Sequence, residues 1–167
     1  MGKKVNPKIF RMGITKSWDS VWFESGKNYI KNVAQDIAVR RHLIKEFKEA
    51  GVDKVEIIRS LNRIQIDLWT GKPGLLIGRG GNGVEELKKK LHTKFLKNFR
   101  IGEITLNIKE VSRPGLSAQI AVQTMTLEIE KRTPFRKVMK QTISRIERSG
   151  AEGAKVVIGG RLNGAEI

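Results

Sequence analysis

Four glycines crowded into residues 78–83 place the strongest constraint on how this chain folds. A short apolar stretch, residues 75–77, precedes them, and apolar residues recur every three or four positions over residues 84–95, as in an amphipathic helix. Glycines lack the Cβ atom that would hold an anion away from free amides at a helix start. The chain must therefore turn sharply into a helix here, through a loop whose amides an anion can reach.

This glycine loop fits two binding templates. Gly78-x-Gly80-x-x-Gly83 matches the dinucleotide fingerprint, but that fold needs a strand before the loop and more alternating strands and helices than the sequence supplies. Ile77 followed by Gly78-x-x-Gly81 instead matches the loop with which KH domains clamp about four nucleotides. The remaining alternative is a set of glycines that merely form a turn.

Hydrophobic periodicity predicts the elements around the loop. A helix is expected over residues 28–50, a β-hairpin from strands 54–59 and 63–69, and a third strand over 101–111, where a first domain closes. Beyond an Arg113-Pro114-Gly115 linker, the pattern predicts helices over 117–131 and 134–149 and a strand over 154–158. One strand cannot cover two helices, so this second part looks unfinished.

The net charge of +16 indicates a polyanionic partner, since solubility alone needs only about 2 to 8 charges in a small domain. An anionic membrane is the runner-up, but membrane-surface helices carry bulky aromatics and only 6% of residues here are aromatic. The chain has no cysteine and two distant histidines, His42 and His92. We expect no metal, no cofactor and no catalytic residue; His42 is interpreted as structural, and Glu85 and Glu86 as acids favoured in a first helical turn.

The predicted helix over 134–149 has two contrasting faces. Between residues 131 and 148 there are seven basic residues and one acid. At about 100° per residue one face is cationic and the other largely apolar, and a solvated surface helix is the alternative interpretation. The cationic face holds Arg136, Lys137, Lys140 and Arg148, and the other holds Phe135, Val138, Met139, Thr142 and Ile146.

Several motifs, in the same order along the chain, resemble the bacterial family of ribosomal protein three of the small subunit. These motifs are Gly2-x-Lys4-Val5-x-Pro7, Trp18-x-Ser20-x-Trp22-Phe23, Pro73-Gly74-x-x-Ile77-Gly78-x-x-Gly81, Phe135-Arg136-Lys137-x-Met139-Lys140 and Gly160-Arg161-Leu162-x-Gly164-Ala165-Glu166-Ile167.

The resemblance implies an α+β protein with an N-terminal type II KH domain, followed by a second α/β domain of two helices and an incomplete sheet. Residues 1–16 are then an extended basic arm, 17–111 the KH domain and 112–167 the C-terminal domain. The implied function is that of a non-enzymatic, cytoplasmic constituent of the small ribosomal subunit. By this resemblance the protein is expected to bind ribosomal RNA (rRNA) in the subunit head, to contact mRNA where the messenger enters, to touch neighbouring head proteins and to form no homo-oligomer.

The resemblance also implies three RNA-binding sites. The KH loop is formed by Gly78, Arg79, Gly80 and Gly81. The mRNA-facing helix presents Arg132, Arg136, Lys137 and Lys140. The N-terminal arm places Lys3, Lys4, Lys8, Arg11 and Lys16 on rRNA, while Trp18, Trp22 and Phe23 either stack on bases or pin the arm to the KH domain.

Two departures from the family pattern are visible. The second residue inside the loop is Gly80, where the family has a polar or basic residue, so the loop should be more flexible and carry one charge fewer. The family continues past the motif that ends at Ile167, so we expect either a fragment or a differently completed domain. A stand-alone KH regulator of mRNA, and a dinucleotide-binding enzyme, are the alternative functions.

Overall fold

The structure, a computed structural model, describes residues 2–164 apart from the side chains of Arg79 and Asn163. Met1 and the last three residues of the C-terminal motif, Ala165, Glu166 and Ile167, lie outside the described residues. In chain order the elements are α1 (Pro7–Phe10), β1 (Ser20–Val21), α2 (Gly26–Glu46), β2 (Val52–Ser60), β3 (Arg63–Thr70), α3 (Pro73–Ile77), α4 (Asn82–Lys94), β4 (Ile104–Glu110), α5 (Ala118–Glu130) and α6 (Phe135–Arg148).

The four strands form one mixed sheet in the order β1-β2-β3-β4. Strands β2 and β3 form the predicted antiparallel hairpin, with Ile57 opposite Ile66, and β4 runs parallel to β3. Strand β1, which periodicity did not predict, pairs in parallel with β2. The result is an α+β fold, as the sequence predicted.

One face of the sheet carries the hydrophobic core. Alternating residues of β2 and β3 point to it, and α2 and α4 contribute residues to the same cluster. Each such fully buried side chain contributes about 1.5–3 kcal/mol relative to its exposed state. The largest of them include Leu43, Ile57, Ile64, Ile66, Leu68, Leu87, Leu91 and Ile104.

Charges on the other face of the sheet are neutralised within it. The buried Asp67 accepts hydrogen bonds from Lys109 Nζ at 2.6 Å and from the amides of Gln65 and Asn107 at 2.9 Å. Burial by itself favours the protonated carboxyl, but these hydrogen bonds outweigh it, and the pKa of Asp67 lies below its ordinary value. Lys109 is therefore paired and not free to meet a polyanion.

Helix α5 is fastened to the sheet where β2 begins. Gln123 Nε2 donates to the Val52 carbonyl at 2.8 Å, and Ser117 Oγ donates to Asp53. A Cβ atom on Gly51 would lie 3.3 Å from Ile120, and one on Gly71 would lie 3.4 Å from the same side chain. Two glycines thus let α5 lie close to the turns that flank β2 and β3.

The strand predicted over residues 154–158 is wrong, because residues 151–161 contain no strand. Residues 155–158 instead line one side of an apolar groove of about 450 Å³ between α5 and α6. A strand needs a partner to satisfy its backbone groups, and no neighbouring strand lies there among the described residues. An apolar run alone therefore did not distinguish a strand from an irregular segment that lines a groove.

The extended conformation predicted for residues 1–16 is also wrong in part. Residues 7–10 form the helical turn α1, whose N-cap is Asn6, with Oδ1 accepting from the Lys8 amide at 2.9 Å. Asn at the N-cap and Pro at the first helical position are strong local helix signals. Here they outweigh the lack of hydrophobic periodicity.

Candidate nucleic-acid interface

The glycine loop connects two helices, not a strand and a helix. Pro73–Ile77 forms α3 where the dinucleotide template requires a strand, so the structure contradicts that template. Gly78, Gly80 and Gly81 have φ values of +68°, +65° and +82°, which favour glycine over any L residue. The loop is therefore a left-handed turn that a chain of bulkier residues would not adopt.

The loop glycines fall into two groups. A Cβ on Gly83 would lie 2.5 Å from the Leu76 carbonyl oxygen and 2.9 Å from that of Ile77, so this glycine lets α3 and α4 meet. A Cβ on Gly80 or Gly81 would have nothing within 4 Å. The predicted RNA-binding loop included Gly78, Gly80 and Gly81 but not Gly83, whose packing role became visible only in the fold.

The surface beside the loop combines apolar side chains with accessible backbone. Leu75 is 59% exposed and Ile77 is 40% exposed, next to the open Gly80 and Gly81. Apolar surface suits nucleobases, and free amides suit phosphates. The Arg79 side chain, predicted to add a charge, lies outside the described part of the structure.

Helix α6 has the two faces that the sequence predicted. Val138 and Thr142 are buried, whereas Arg136, Lys137 and Lys140 are exposed. No acidic residue lies in the first turn, so the positive end of the helix dipole adds to these charges.

The cations of this face are unpaired among the residues that the structure describes. Carboxylates lie within ion-pair distance of Lys54, Lys90, Lys109 and Arg145, but none lies so close to the four predicted cations of α6. Like charges on one helix face repel each other unless an anion intervenes. The cationic face of α6, which we define as Arg136, Lys137, Lys140 and Arg148, is thus electrostatically unsatisfied.

A shallow groove of about 600 Å³ extends this face toward the end of the helix. Gln141 and Ser144, which sequence analysis missed, line it together with Lys140 and Arg148. The signal for Ser144 was present in the four-residue spacing of Arg136, Lys140, Ser144 and Arg148, which aligns them along one side of a helix, whereas Gln141 lies outside this spacing. The site therefore follows the axis of α6 as a stripe.

The basic residues of the N-terminal arm differ in whether they have partners within the protein. Lys3, Lys4 and Lys16 are exposed, whereas Lys8 Nζ lies 2.6 Å from Asp19 Oδ2 and Arg11 Nη1 donates to the Pro7 carbonyl at 3.0 Å. Thus two of the five predicted arm cations are already engaged, Lys8 with Asp19 just beyond the arm and Arg11 with Pro7 inside it.

One aromatic residue of the N-terminal segment has the predicted role of pinning the segment to the KH domain, and two others are exposed. Trp22 Nε1 donates to Asp36 Oδ2 at 2.8 Å, and its ring lies 5.5 Å from that of Tyr29, so Trp22 pins the segment to α2. Phe23 and Trp18 are 94% and 63% exposed and remain available to a partner.

His42 lies where a structural residue is expected. Its Nε2 is 2.9 Å from Glu46 Oε2, and its ring centre is 5.2 Å from that of Phe95. Among the described residues no three histidine or acidic side chains gather in a metal-binding group. Within the same residues, no helix is both long and apolar enough to cross a bilayer.

The order helix, strand, strand, helix, glycine loop, helix, strand in residues 26–110 defines a KH-domain protein. The family model described as "KH domain" matches residues 38–116, and that described as "Ribosomal protein S3, C-terminal domain" matches residues 125–167. The chain belongs to the family of small ribosomal subunit protein uS3. The resemblance inferred from the sequence motifs is thereby confirmed.

Individual relatives in this family match the whole chain. The small ribosomal subunit protein uS3 of Leptospira biflexa is 48% identical over 167 residues, which cover 72% of its length. The proteins of the same name from Caldicellulosiruptor saccharolyticus and Clostridium novyi are 45% and 43% identical, with 73% and 74% of their lengths covered. The chain, like these relatives, is a structural protein and not an enzyme.

Proposed function

We propose that this chain is a cytoplasmic structural constituent of the small ribosomal subunit that binds rRNA in the subunit head and contacts mRNA where the messenger enters. Family membership and the net charge of +16 support an RNA partner. The proposed partners are rRNA, mRNA and neighbouring head proteins, and the proposed state is a single copy without homo-oligomerisation.

The observation that carries the mRNA contact is the unpaired cationic face of α6. Arg136, Lys137, Lys140 and Arg148 lie exposed along one helix without an acidic partner among the described residues. Arg132, predicted as part of the same site, precedes α6 and is also exposed. A single RNA strand that follows the helix axis supplies the missing negative charge to several of these residues at once.

The glycine loop is proposed to bind RNA, and the N-terminal arm is proposed to bind rRNA. Gly78, Gly80 and Gly81 provide the left-handed turn whose amides bind phosphates, with Arg79 as the charged member. Lys3, Lys4, Lys8, Arg11 and Lys16 supply the arm contacts, in which Lys8 exchanges Asp19 for phosphate.

Sedimentation tests the ribosomal role against that of a stand-alone KH regulator of mRNA. In a sucrose gradient of cell extract, we expect the protein in the small-subunit peak, still present after washing at moderate salt because head rRNA and proteins surround it. Protein at the top of the gradient, with subunits intact, would favour the regulator.

The α6 contact predicts a loss of salt dependence. Replacing Arg136, Lys137 and Lys140 with alanine should lower the salt slope of single-stranded RNA binding by about 2, because each phosphate contact contributes about 0.7. Titration of a fluorescent single-stranded RNA at several salt concentrations measures this slope.

The control for this experiment removes the same number of positive charges from a different helix, α2. Lys27, Lys31 and Lys45 are exposed on α2 and have no ion pair among the described residues, so their triple alanine variant matches the loss of three charges. Equal slopes for the two triple variants would mean that net charge alone binds the RNA, and the α6 contact would be refuted.

A further inference from the structure

A small pocket lies where the N-terminal segment, α2, the β2-β3 turn and the loop after α4 meet. Its volume is about 190 Å³, below the roughly 300–1,000 Å³ of small-molecule sites, so it has room for a single side chain. Two aromatic rings, Trp22 and Phe99, form part of its wall. The guanidinium of Arg59 lies 5.9 Å from the centre of each ring.

The cation in the pocket wall has no donor left for an anion. Arg59 donates to Asp36 Oδ1 through both Nε and Nη2. Its Nη1 donates to the side-chain oxygens of Asn32 and Gln35 at 3.2 Å, and Nη2 also donates to the Asn32 carbonyl at 3.5 Å. A guanidinium has only these N–H groups with which to bind an anion, so an entering group meets its flat face. Such a face suits an apolar or aromatic group and not a phosphate.

The rim of the pocket is apolar and exposed. Phe23 lies almost entirely in solvent, and Leu61, in the β2-β3 turn, lies entirely in solvent. Short hairpin turns favour Gly, Asn or Asp, so the turn itself does not explain a leucine. Large apolar side chains that surround an apolar pocket mark a protein-binding patch, whereas single ones scattered over a surface do not.

The exposed charged residue of this pocket is an acid. Glu24 lines it and has no ion-pair partner among the described residues, although the chain carries a net charge of +16. The basic residues Lys31, Arg63 and Arg100 lie close in sequence to pocket residues, but none of them lines the pocket. A carboxylate repels RNA phosphates and attracts lysine or arginine, so the charge favours a basic protein over RNA.

We propose that this pocket is a docking site for a neighbouring protein, which inserts one apolar side chain between Phe23 and Leu61 and places a basic residue against Glu24. The inference deepens the proposed contact with head proteins and rests on it. The inserted side chain covers Trp22 and Phe99, as a buried anchor does at the centre of a protein interface, and the Glu24 pair lies at the polar rim.

Photocrosslinking in intact small subunits tests which macromolecule occupies the pocket. The chain is expressed in its native cells with photoreactive benzoylphenylalanine in place of Leu61, and the small subunits are purified on a sucrose gradient and irradiated. We expect a nuclease-resistant product in which Leu61 is joined to a protein peptide that carries lysine or arginine, identified by mass spectrometry. A nuclease-sensitive product would assign the pocket to RNA and refute the docking site, as would the absence of any product.

Reversing the charge at the rim gives a second measurement, because a basic protein and RNA predict opposite signs. Glu24→Lys should increase the fraction of the chain released from small subunits at a fixed intermediate salt concentration by about two- to five-fold, the effect of one exposed ion pair. Glu49→Lys is the matched control, since Glu49 is also exposed, has no ion pair among the described residues and lies outside the pocket. Release no greater than that of the control, or retention to higher salt, would overturn the inference.

The gradient also separates this inference from the proposed function. If the unsubstituted chain is missing from the small-subunit peak, the ribosomal role is refuted and the docking site with it. If the chain is in the peak but gives no protein cross-link at Leu61, only the docking site is refuted.

Discussion

Replacing Asp36 with alanine is expected to lower the free energy of unfolding by about 3–5 kcal/mol, as for other buried ion pairs that lose one partner. Asp36 is 2% exposed, and its Oδ1 accepts from Arg59 Nε at 2.9 Å and from Nη2 of the same residue at 2.5 Å. Its Oδ2 accepts from Ser20 Oγ at 3.0 Å and Trp22 Nε1 at 2.8 Å. The substitution leaves the Arg59 charge buried and unpaired and releases the N-terminal segment from α2.

Urea unfolding followed by circular dichroism measures the loss, and tryptophan fluorescence reports the release of Trp22. The control is Asp19→Ala, which breaks an ion pair with Lys8 at the surface and should change the free energy of unfolding by about 1 kcal/mol or less. If both variants lowered the free energy of unfolding by the same small amount, the buried Asp36–Arg59 pair would not be what holds the N-terminal segment against α2.

Replacing Gly83 with alanine is expected to lower the free energy of unfolding by about 1–3 kcal/mol, the usual cost of overpacking. The added Cβ would meet the Leu76 carbonyl oxygen at 2.5 Å, and backbone atoms of α3 cannot rotate away as a side chain would. Gly74→Ala is the control within α3, since nothing lies within 4 Å of its Cβ position and alanine favours a helix by about 1 kcal/mol. A Gly83→Ala variant as stable as the unsubstituted protein would refute the close contact.

Substitution of an open glycine of the same loop should affect RNA binding more than folding. Gly81→Asp has room for its side chain, and Asp is among the L residues least strained at a φ of +82°, so we expect a native circular dichroism spectrum with a modest loss of stability, and weaker RNA binding through charge repulsion. Gly81→Asn has the same shape without the charge and should bind more tightly than the Asp variant. Equal RNA affinity of the Asp variant and the unsubstituted protein would mean that the loop is only a turn.

The long elements could be predicted from the sequence because their pattern is local. Helices α2, α4, α5 and α6 each show the helical period, and all four form within a few residues of their expected bounds. The β2-β3 hairpin follows from alternation on either side of a short turn. In these segments propensity, pattern and tertiary packing agree.

The elements that were missed depend on partners distant in sequence. Strand β1 has two residues, and one of its links to β2 is the Ile57 amide bonding to the Asp19 carbonyl at 2.9 Å, 38 positions away in the chain. Residues 154–158 have strand composition but no strand to pair with among the described residues. Helix α3 is too short for a period to be visible.

The features of the candidate site were likewise predictable where the sequence pattern is local and not where they depend on tertiary contacts. Composition and spacing sufficed to find the cations of α6, because a helix places every fourth residue on one side. The left-handed backbone of Arg132 and the packing role of Gly83 could not be found this way, since both arise where one helix meets another. The sequence therefore predicted which cations lie exposed on α6, and the structure showed the backbone features around them.

The attachment of α5 to the beginning of β2 has a mechanical consequence for the proposed RNA contact. An RNA strand drawn along α6 would pull on a helix that is joined to α5 through the short turn of residues 131–134. Helix α5 resists through the Gln123 bond to Val52 and through Ile120, which lies against Gly51 and Gly71. In the proposed RNA contact, tension on the RNA would therefore pass through α5 to the fully buried Val52 of β2.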